Sequence, residues 1–336
     1  MKKFDVVNDL QVVLITYNRK MRLSHTLQCL FASDSPVAKC AITVLDNYST
    51  DGTGQLLDEI AARHANVRVM HHRRNIGGNA NIVRAYESAE KKYIWVICDD
   101  DSFDWSKWKP VEVALASDAY DIVYVNNRLT LASPWPNMGY YAFVAAFVPA
   151  CIYRSSLITS DILQNMYAMI HTWYPQVVLS LHALCNLRCR FFVPDDCVVV
   201  HQLLTDAESR VMTEDENVAT LTRGMDDEFL HPDLKRMYWH IGFLKAAQII
   251  KDPIERQRVL HDARFDERWD HSYWEYCKFV VWYNRIYKGF SCANCCDYIL
   301  GLSGRNRFIF CIAVLYALVK HIVKCVLVKL RLWKRK

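Results

Sequence analysis

The run YIWVICDDDSF, residues 93–103, decides how the rest of the chain is read. Its first six residues are mostly aromatic or β-branched, which predicts a buried strand. Asp99, Asp100 and Asp101 follow that strand without a spacer. Carboxylates so close together repel one another and lose solvation near a core. Either the loop is fully wet or something cationic compensates it.

Upstream, strand and helix patterns alternate. LQVVLITY (10–17), AITVLD (41–46) and VRVMHH (67–72) read as strands. Helical spacing follows each of them: around Leu23, Leu27, Leu30 and Phe31, then Leu56, Leu57 and Ile60, then along NANIVRAYESAEKK. Four βα units imply a mainly parallel, doubly covered α/β sheet. In such sheets ligands bind outside the carboxyl ends of the strands. TYNR, DNYSTDGT, HHRRNIGG and DDD all fall there. One polar cluster is ordinary loop chemistry, but four at one sheet edge are a site. Clustered carboxylate oxygens at that edge suit Mg²⁺ or Mn²⁺, which seldom sit in an all-protein cage and usually bridge to phosphate oxygens. A metal and a diphosphate therefore account for the three aspartates.

ITYNR, VLDNYSTDGT, NIGGNANIVRAYESA and YIWVICDDDSF, in this order and spacing, resemble the nucleotide-sugar-binding half of a family 2 glycosyltransferase with the GT-A fold. The resemblance is close over residues 10–105 and fades toward His201. It implies transfer of a sugar from a nucleotide-diphosphate donor to an acceptor hydroxyl, with Mn²⁺ or Mg²⁺ as cofactor and inversion as the expected stereochemistry. Thr16, Tyr17 and Arg19 match the family's nucleobase loop, and Asp46 and Asn47 its acidic base-contacting loop. Many relatives carry a second Asp where this chain has Asn47, which weakens the base preference inferred from that carboxylate. Asn75, Gly77 and Arg84 match the segment on the ribose or phosphate side. Asp99 and Asp101 match the DxD motif, the first toward ribose or sugar and the second toward the metal, with Asp100 able to serve instead. His201 resembles an added metal ligand.

The family's acidic base, often in an ED step, has no counterpart in register: HTWYPQVVLSLHAL has Tyr174, Pro175 and Gln176 there. His171 is close by and imidazole suits neutral pH; Asp161 is the weaker choice. A packing or surface role competes for His171.

The chain has 336 residues, 52% hydrophobic and 23% charged, a globular composition. Its net charge of +5 is unevenly placed: nine cations and no acid follow Asp297, so the rest is mildly acidic. The basic tail points to an anionic membrane surface, with no nucleic-acid partner expected. Residues 308–319 are twelve uninterrupted apolar positions, short of the ~20 a transmembrane helix needs. An interfacial helix is the expectation, and a tilted span the alternative. MKKFDVVNDLQ has no apolar signal core, so the thirteen cysteines read as reduced, and CANCC lacks a second metal-ligand pair. The expected organisation is a GT-A domain over 1–225 (donor half 10–105, acceptor half 106–225). A helical extension over 226–300 and a membrane-associating tail over 301–336 follow. The expected location is the cytoplasmic face of the plasma (inner) membrane, with a lipid-linked glycan acceptor in surface polysaccharide synthesis. The rivals are an inactive sugar-nucleotide-binding or scaffold protein and, without a GxGTR-like loop, a nucleotidyltransferase.

Overall fold

Strands β1 (Leu10–Thr16), β2 (Ala41–Asp46), β3 (Val67–His71) and β4 (Tyr93–Cys98) are the β-branched runs of the first hundred residues, and all four are parallel neighbours. The computed structural model describes residues 4–126, 138–172, 174–201, 242–243 and 245–262, with scattered positions between 308 and 327. Further strands are β5 (Asp101–Phe103), β6 (Ile122–Tyr124), β7 (Cys151–Arg154), β8 (Phe191–Phe192) and β9 (Val199–His201). The main sheet has seven strands in the order β3-β2-β1-β4-β7-β6-β8, and β5 pairs with β9 in a separate two-stranded ladder. β7 is antiparallel to both β4 and β6.

The helices are α1 (Val6–Asp9), α2 (Lys20–Leu30), α3 (Thr53–Arg63), α4 (Gly78–Glu87), α5 (Lys109–Ala116), α6 (Met138–Val144), α7 (Ser160–Ala168), α8 (Pro175–Leu181) and α9 (Pro253–Asp262), besides helical positions between 308 and 327. Alternation along the strands sends side chains to two cores, one on each sheet face. Val12, Leu14, Trp95 and Ile97 pack with Leu23, Leu27, Leu57 and Leu115 of α2, α3 and α5. Val13, Ile94 and Val96 pack with Val83 and Tyr86 of α4, Met166 of α7 and Val177 of α8. Strands β1, β2 and β4 are buried on both faces, as a parallel sheet between helices requires.

Register then levels the strand ends. Thr16 lies opposite Asp46, Asp46 opposite His71, and Ile15 opposite Cys98. The polar clusters that follow these residues emerge side by side.

Beyond β4 the alternation loosens. The last residues of the apolar run YYAFVAAFVPACIY (140–153) form β7, inserted beside β4. Residues 190–201 divide into β8 in the main sheet and β9 against β5, with Pro194, Asp195 and Asp196 in the intervening turn. Proline supplies no ladder donor, so the pairing breaks there.

Part of the expected 226–300 extension is described. Phe243, Ala246, Ala247, Ile250 and Val259 are buried in the same core as α4, α7 and α8, and the Phe243 ring stands edge-on to Tyr174 at 5.9 Å. Residues 202–241 and 263–307 lie outside the described residues. Among the described residues no helix is long and apolar enough to cross a membrane. The described positions between 308 and 327 are helical, and Phe308, Ile312, Leu315, Tyr316, Val319, Ile322, Val323 and Val326 are exposed.

Candidate active site

The loops after β1 and β2 are laced together. Asn18 sits in the left-handed region at φ +50°, a conformation asparagine tolerates. Its backbone N–H donates to Ser49 Oγ at 2.9 Å, and its Oδ1 accepts from Thr50 N–H at 2.7 Å. Asp51 accepts from Lys20 N–H and Thr53 N–H, both at 3.0 Å, and so serves the first turns of α2 and α3 together. Ser49 caps no helix; its hydroxyl is spent on Asn18.

Asp46 is buried at the end of β2. Its Oδ1 accepts from Ser49 N–H at 3.0 Å, and its Oδ2 meets His71 Nδ1 at 2.9 Å. His71 Nε2 lies 3.1 Å from Asp58 Oδ1. Burial alone would lower the His71 pKa, but the two carboxylates outweigh it and raise it above the ordinary histidine value. Asp46 is therefore engaged on the β3 side, and Asn47 is the member of the pair that lines the cleft.

Asn47 and Asn75 form a clasp whose orientation is fixed by backbone. Ile76 N–H donates to Asn47 Oδ1 at 3.0 Å, and Gly77 N–H donates to Asn75 Oδ1 at 2.8 Å. Asn47 Nδ2 must then be the donor to Asn75 Oδ1, at 2.9 Å. Gly77 has φ +84°, which only glycine adopts without strain, and it launches α4.

The aspartates divide their work. Asp99 is 4% exposed; its Oδ2 accepts from Thr16 Oγ1 at 2.7 Å and its Oδ1 from Arg19 Nη1 at 3.1 Å. Arg19 Nη1 also reaches Asp100 Oδ2 at 3.3 Å. Asp101 is 1% exposed and accepts from Cys98 N–H at 2.8 Å. Thr26, buried in α2, shares its one O–H between the carbonyl oxygens of Asp99 at 3.0 Å and Asp101 at 2.8 Å. Burial pushes Asp99 up to about 6 although Arg19 pulls the other way. Burial and the neighbouring carboxylates push Asp101 well above the carboxylate range. Among the described residues no basic side chain lies within ion-pair distance of Asp101, whereas Asp99 and Asp100 share Arg19. A buried carboxylate without a counter-cation is destabilising. Oxygens of Asp100 and Asp101 and the Cys98 sulfur all lie within 4.8 Å of one another. Burial holds the Cys98 thiol well above its ordinary pKa, and the other two ligand atoms are hard carboxylate oxygens. That donor set fits Mg²⁺ or Mn²⁺.

The structure gathers Thr16, Tyr17, Arg19, Asn47, Asp99 and Asp100 around one cleft. Asn75 and Gly77 shape its rim through the clasp. Gly78, Asn81, Ile82 and Cys98 also line it and were not singled out from sequence. The Asn81 amide, from within a helix, donates to Leu45 carbonyl at 3.3 Å and meets His72 Nε2 at 2.9 Å. Arg84 is not brought to this cleft. It sits in the last turn of α4, away from the strand ends, with Nη1 3.0 Å from Glu87 Oε2. His171 is exposed on the loop between α7 and α8, and Asn79 ties that loop to α4 by donating to the Ile170 carbonyl at 2.9 Å and to the Thr172 carbonyl. Burial and Lys245 lower the His171 pKa. Asp161 is exposed in the first turn of α7, at the opposite end of that helix from the loop. His201 stands directly across the β5–β9 ladder from Asp101; its side chain lies outside the described residues.

Level parallel strand ends, a cleft beside them and paired buried carboxylates define an α/β domain of GT-A type. Residues 11–167, a little under half of the chain, match the model of glycosyl transferase family 2. The fold is similar to that of the Pyrobaculum calidifontis mannosyltransferase PcManGT, solved in complex with GDP-Man and Mn²⁺. Identity is 14% and the TM-score 0.51, over 96% of this chain and 90% of that one. S. aureus TarS 1-349 aligns at 16% identity and a TM-score of 0.47, over 90% of each chain. Against the longer TarS structure the chain spans 53% of that protein's length. No curated protein matches the chain.

Proposed function

We propose that the protein transfers a glycosyl group from a nucleoside-diphosphate sugar to an acceptor hydroxyl in a reaction dependent on a divalent cation. The observation that carries this reading is Asp101, a carboxylate buried at the strand ends with no basic partner among the described residues, beside Asp100 and the cleft lined by Thr16, Tyr17 and Asn47. Asp101 and Asp100 would hold Mn²⁺ or Mg²⁺, with Asp99 and His201 as further candidates. The ion supplies charge stabilisation to the departing diphosphate. Thr16, Tyr17 and Asn47 would face the nucleoside, and Asn75 and Gly77 hold the rim that receives it. The complex of PcManGT with GDP-Man and Mn²⁺ supports this class of donor and cofactor.

The proposed base is His171, tied by the Asn79 contacts to the first turn of the cleft-lining helix α4, with Asp161 the alternative for an inverting displacement. A lipid-linked glycan acceptor in surface polysaccharide assembly, and a seat on the cytoplasmic face of the plasma membrane, are supported by the exposed apolar helical positions from Phe308 to Val326 and the acid-free basic tail. The domain scheme proposed is a GT-A unit, an aromatic helical extension and this tail.

The test is a screen of nucleotide sugars with and without Mn²⁺, read as thermal stabilisation and donor hydrolysis. One donor should stabilise the protein only with metal. Stabilisation by a donor without any turnover would favour the rival reading of an inactive sugar-nucleotide-binding protein, and no response at all would overturn donor binding itself.

A further inference from the structure

Asp100 is claimed twice. Its Oδ2 is 3.3 Å from Arg19 Nη1, and its carboxylate also belongs to the set whose ligand atoms lie within 4.8 Å of one another. The same guanidinium nitrogen holds Asp99 Oδ1 at 3.1 Å. An arginine in a protein keeps its charge, so it cannot make way for a metal by losing a proton. It can only move. Arg19 is 30% exposed at its side chain and lies on the same cleft wall as Thr16 and Tyr17. A guanidinium that lets go of Asp100 therefore stays among the groups that would face a bound nucleotide.

The geometry points to Arg19 as a positioning residue with two alternative partners: the Asp99 and Asp100 carboxylates before a divalent cation binds, and the donor's diphosphate oxygens afterwards. This rests on the divalent-cation reading above. One cation replaces another at the carboxylates, and the released fork suits the geometry of a phosphate. Without the metal, Arg19 keeps Asp99 and Asp100 compensated and the strand ends intact. With it, the charge that would otherwise repel the incoming ion is taken up by an anion. Metal and diphosphate then help each other to bind, and the help is reciprocal. Asn18 makes the movement local, because its αL backbone and its bonds to Ser49 and Thr50 fix the loop up to the residue before Arg19.

Mn²⁺ binding to the full chain without nucleotide, measured by the loss of the free-ion paramagnetic resonance signal, tests this without reference to turnover. Arg19→Gln should bind Mn²⁺ about tenfold more tightly than the unmodified protein, since a competing charge is gone. Arg19→Lys keeps a charge in place and should stay within about twofold. UDP serves as the second probe: added in excess, it should raise Mn²⁺ affinity more in the unmodified protein than in Arg19→Gln. Unchanged or weaker Mn²⁺ binding by Arg19→Gln, with its melting temperature intact, overturns the two-partner assignment alone. Equal tightening in both variants does so too, because charge would not be what competes. No Mn²⁺ binding by any of the three proteins overturns the metal site itself, and this assignment with it.

Discussion

At the scale of single residues, a hydroxyl from α2 grips the backbone of the aspartate loop. Thr26 reaches the carbonyls of both Asp99 and Asp101 from inside α2. Thr26→Val keeps the shape and removes the donor, leaving buried carbonyls unsatisfied at a cost of about 1–3 kcal/mol. Calorimetric melting should show the loss, and Mn²⁺ affinity should fall with it because the carboxylates are no longer aimed. Asp101→Asn should leave melting nearly unchanged or raise it, since the amide oxygen can still accept from Cys98 N–H and the side chain can no longer ionise in its buried site. Turnover should drop by at least about a hundredfold, the loss of a metal ligand's charge stabilisation; near-normal turnover in EDTA would remove Asp101 from the metal site. If His171 is the base, its lowered pKa sets the acid limb of the rate profile below the ordinary histidine value. His171→Ala should then abolish that limb together with transfer, while donor binding persists. The aspartates were legible in sequence because three carboxylates after a core strand need an explanation. Thr26 was not, because a threonine at a helix position facing the sheet carries no charge or pattern.

Among elements, the clasp between the loop after β2 and the loop before α4 depends on two amides read against backbone N–H groups. Asn47→Asp replaces a donor with an acceptor facing Asn75 Oδ1, 2.9 Å away. The variant should lose about 1–3 kcal/mol of stability and bind nucleotide more weakly. In a double-mutant cycle, Asn75→Ala should remove most of the effect of the Asn47→Asp change. Additive effects would show that the clasp does not couple the loops. The first four strands were readable because each is a continuous β-branched run bounded by turn chemistry. β7 was not, because its four residues end a long apolar stretch, and only the empty place beside β4 makes them a strand. The break between β8 and β9 carried a signal in Pro194, outweighed by the apolar residues around it.

For the whole molecule, acid sensitivity has an identifiable contributor. Asp118 pairs with Lys92 Nζ at 2.9 Å and Arg154 Nη2 at 2.7 Å, and these cations hold its pKa at about 2. A carboxylate depressed in the folded state adds stability that is fully present above its unfolded value of about 3.9 and is lost as pH falls toward about 2. The side chain is 34% exposed, so the contribution is small. Asp118→Asn should lower the melting temperature at neutral pH and flatten its decline between about pH 4 and pH 2; a parallel curve would assign that decline to other groups. If the tail seats the protein on anionic lipid as proposed, attachment to anionic vesicles should weaken in high salt and vanish on truncation before Phe308, where the exposed apolar positions begin. The tail's chemistry was legible as charge and hydropathy, whereas the placement of Phe243 and Val259 in the domain core was not, since it depends on contacts far apart in sequence.

The ladder between β5 and β9 ties two distant parts of the chain in a single mechanical joint. Asp101 pairs with His201, Ser102 with Val200 and Phe103 with Val199, and the polypeptide runs on from His201. A displacement of β9 is delivered through this short ribbon to the backbone of Asp101, so the aim of that carboxylate depends on a strand about a hundred residues further along the chain.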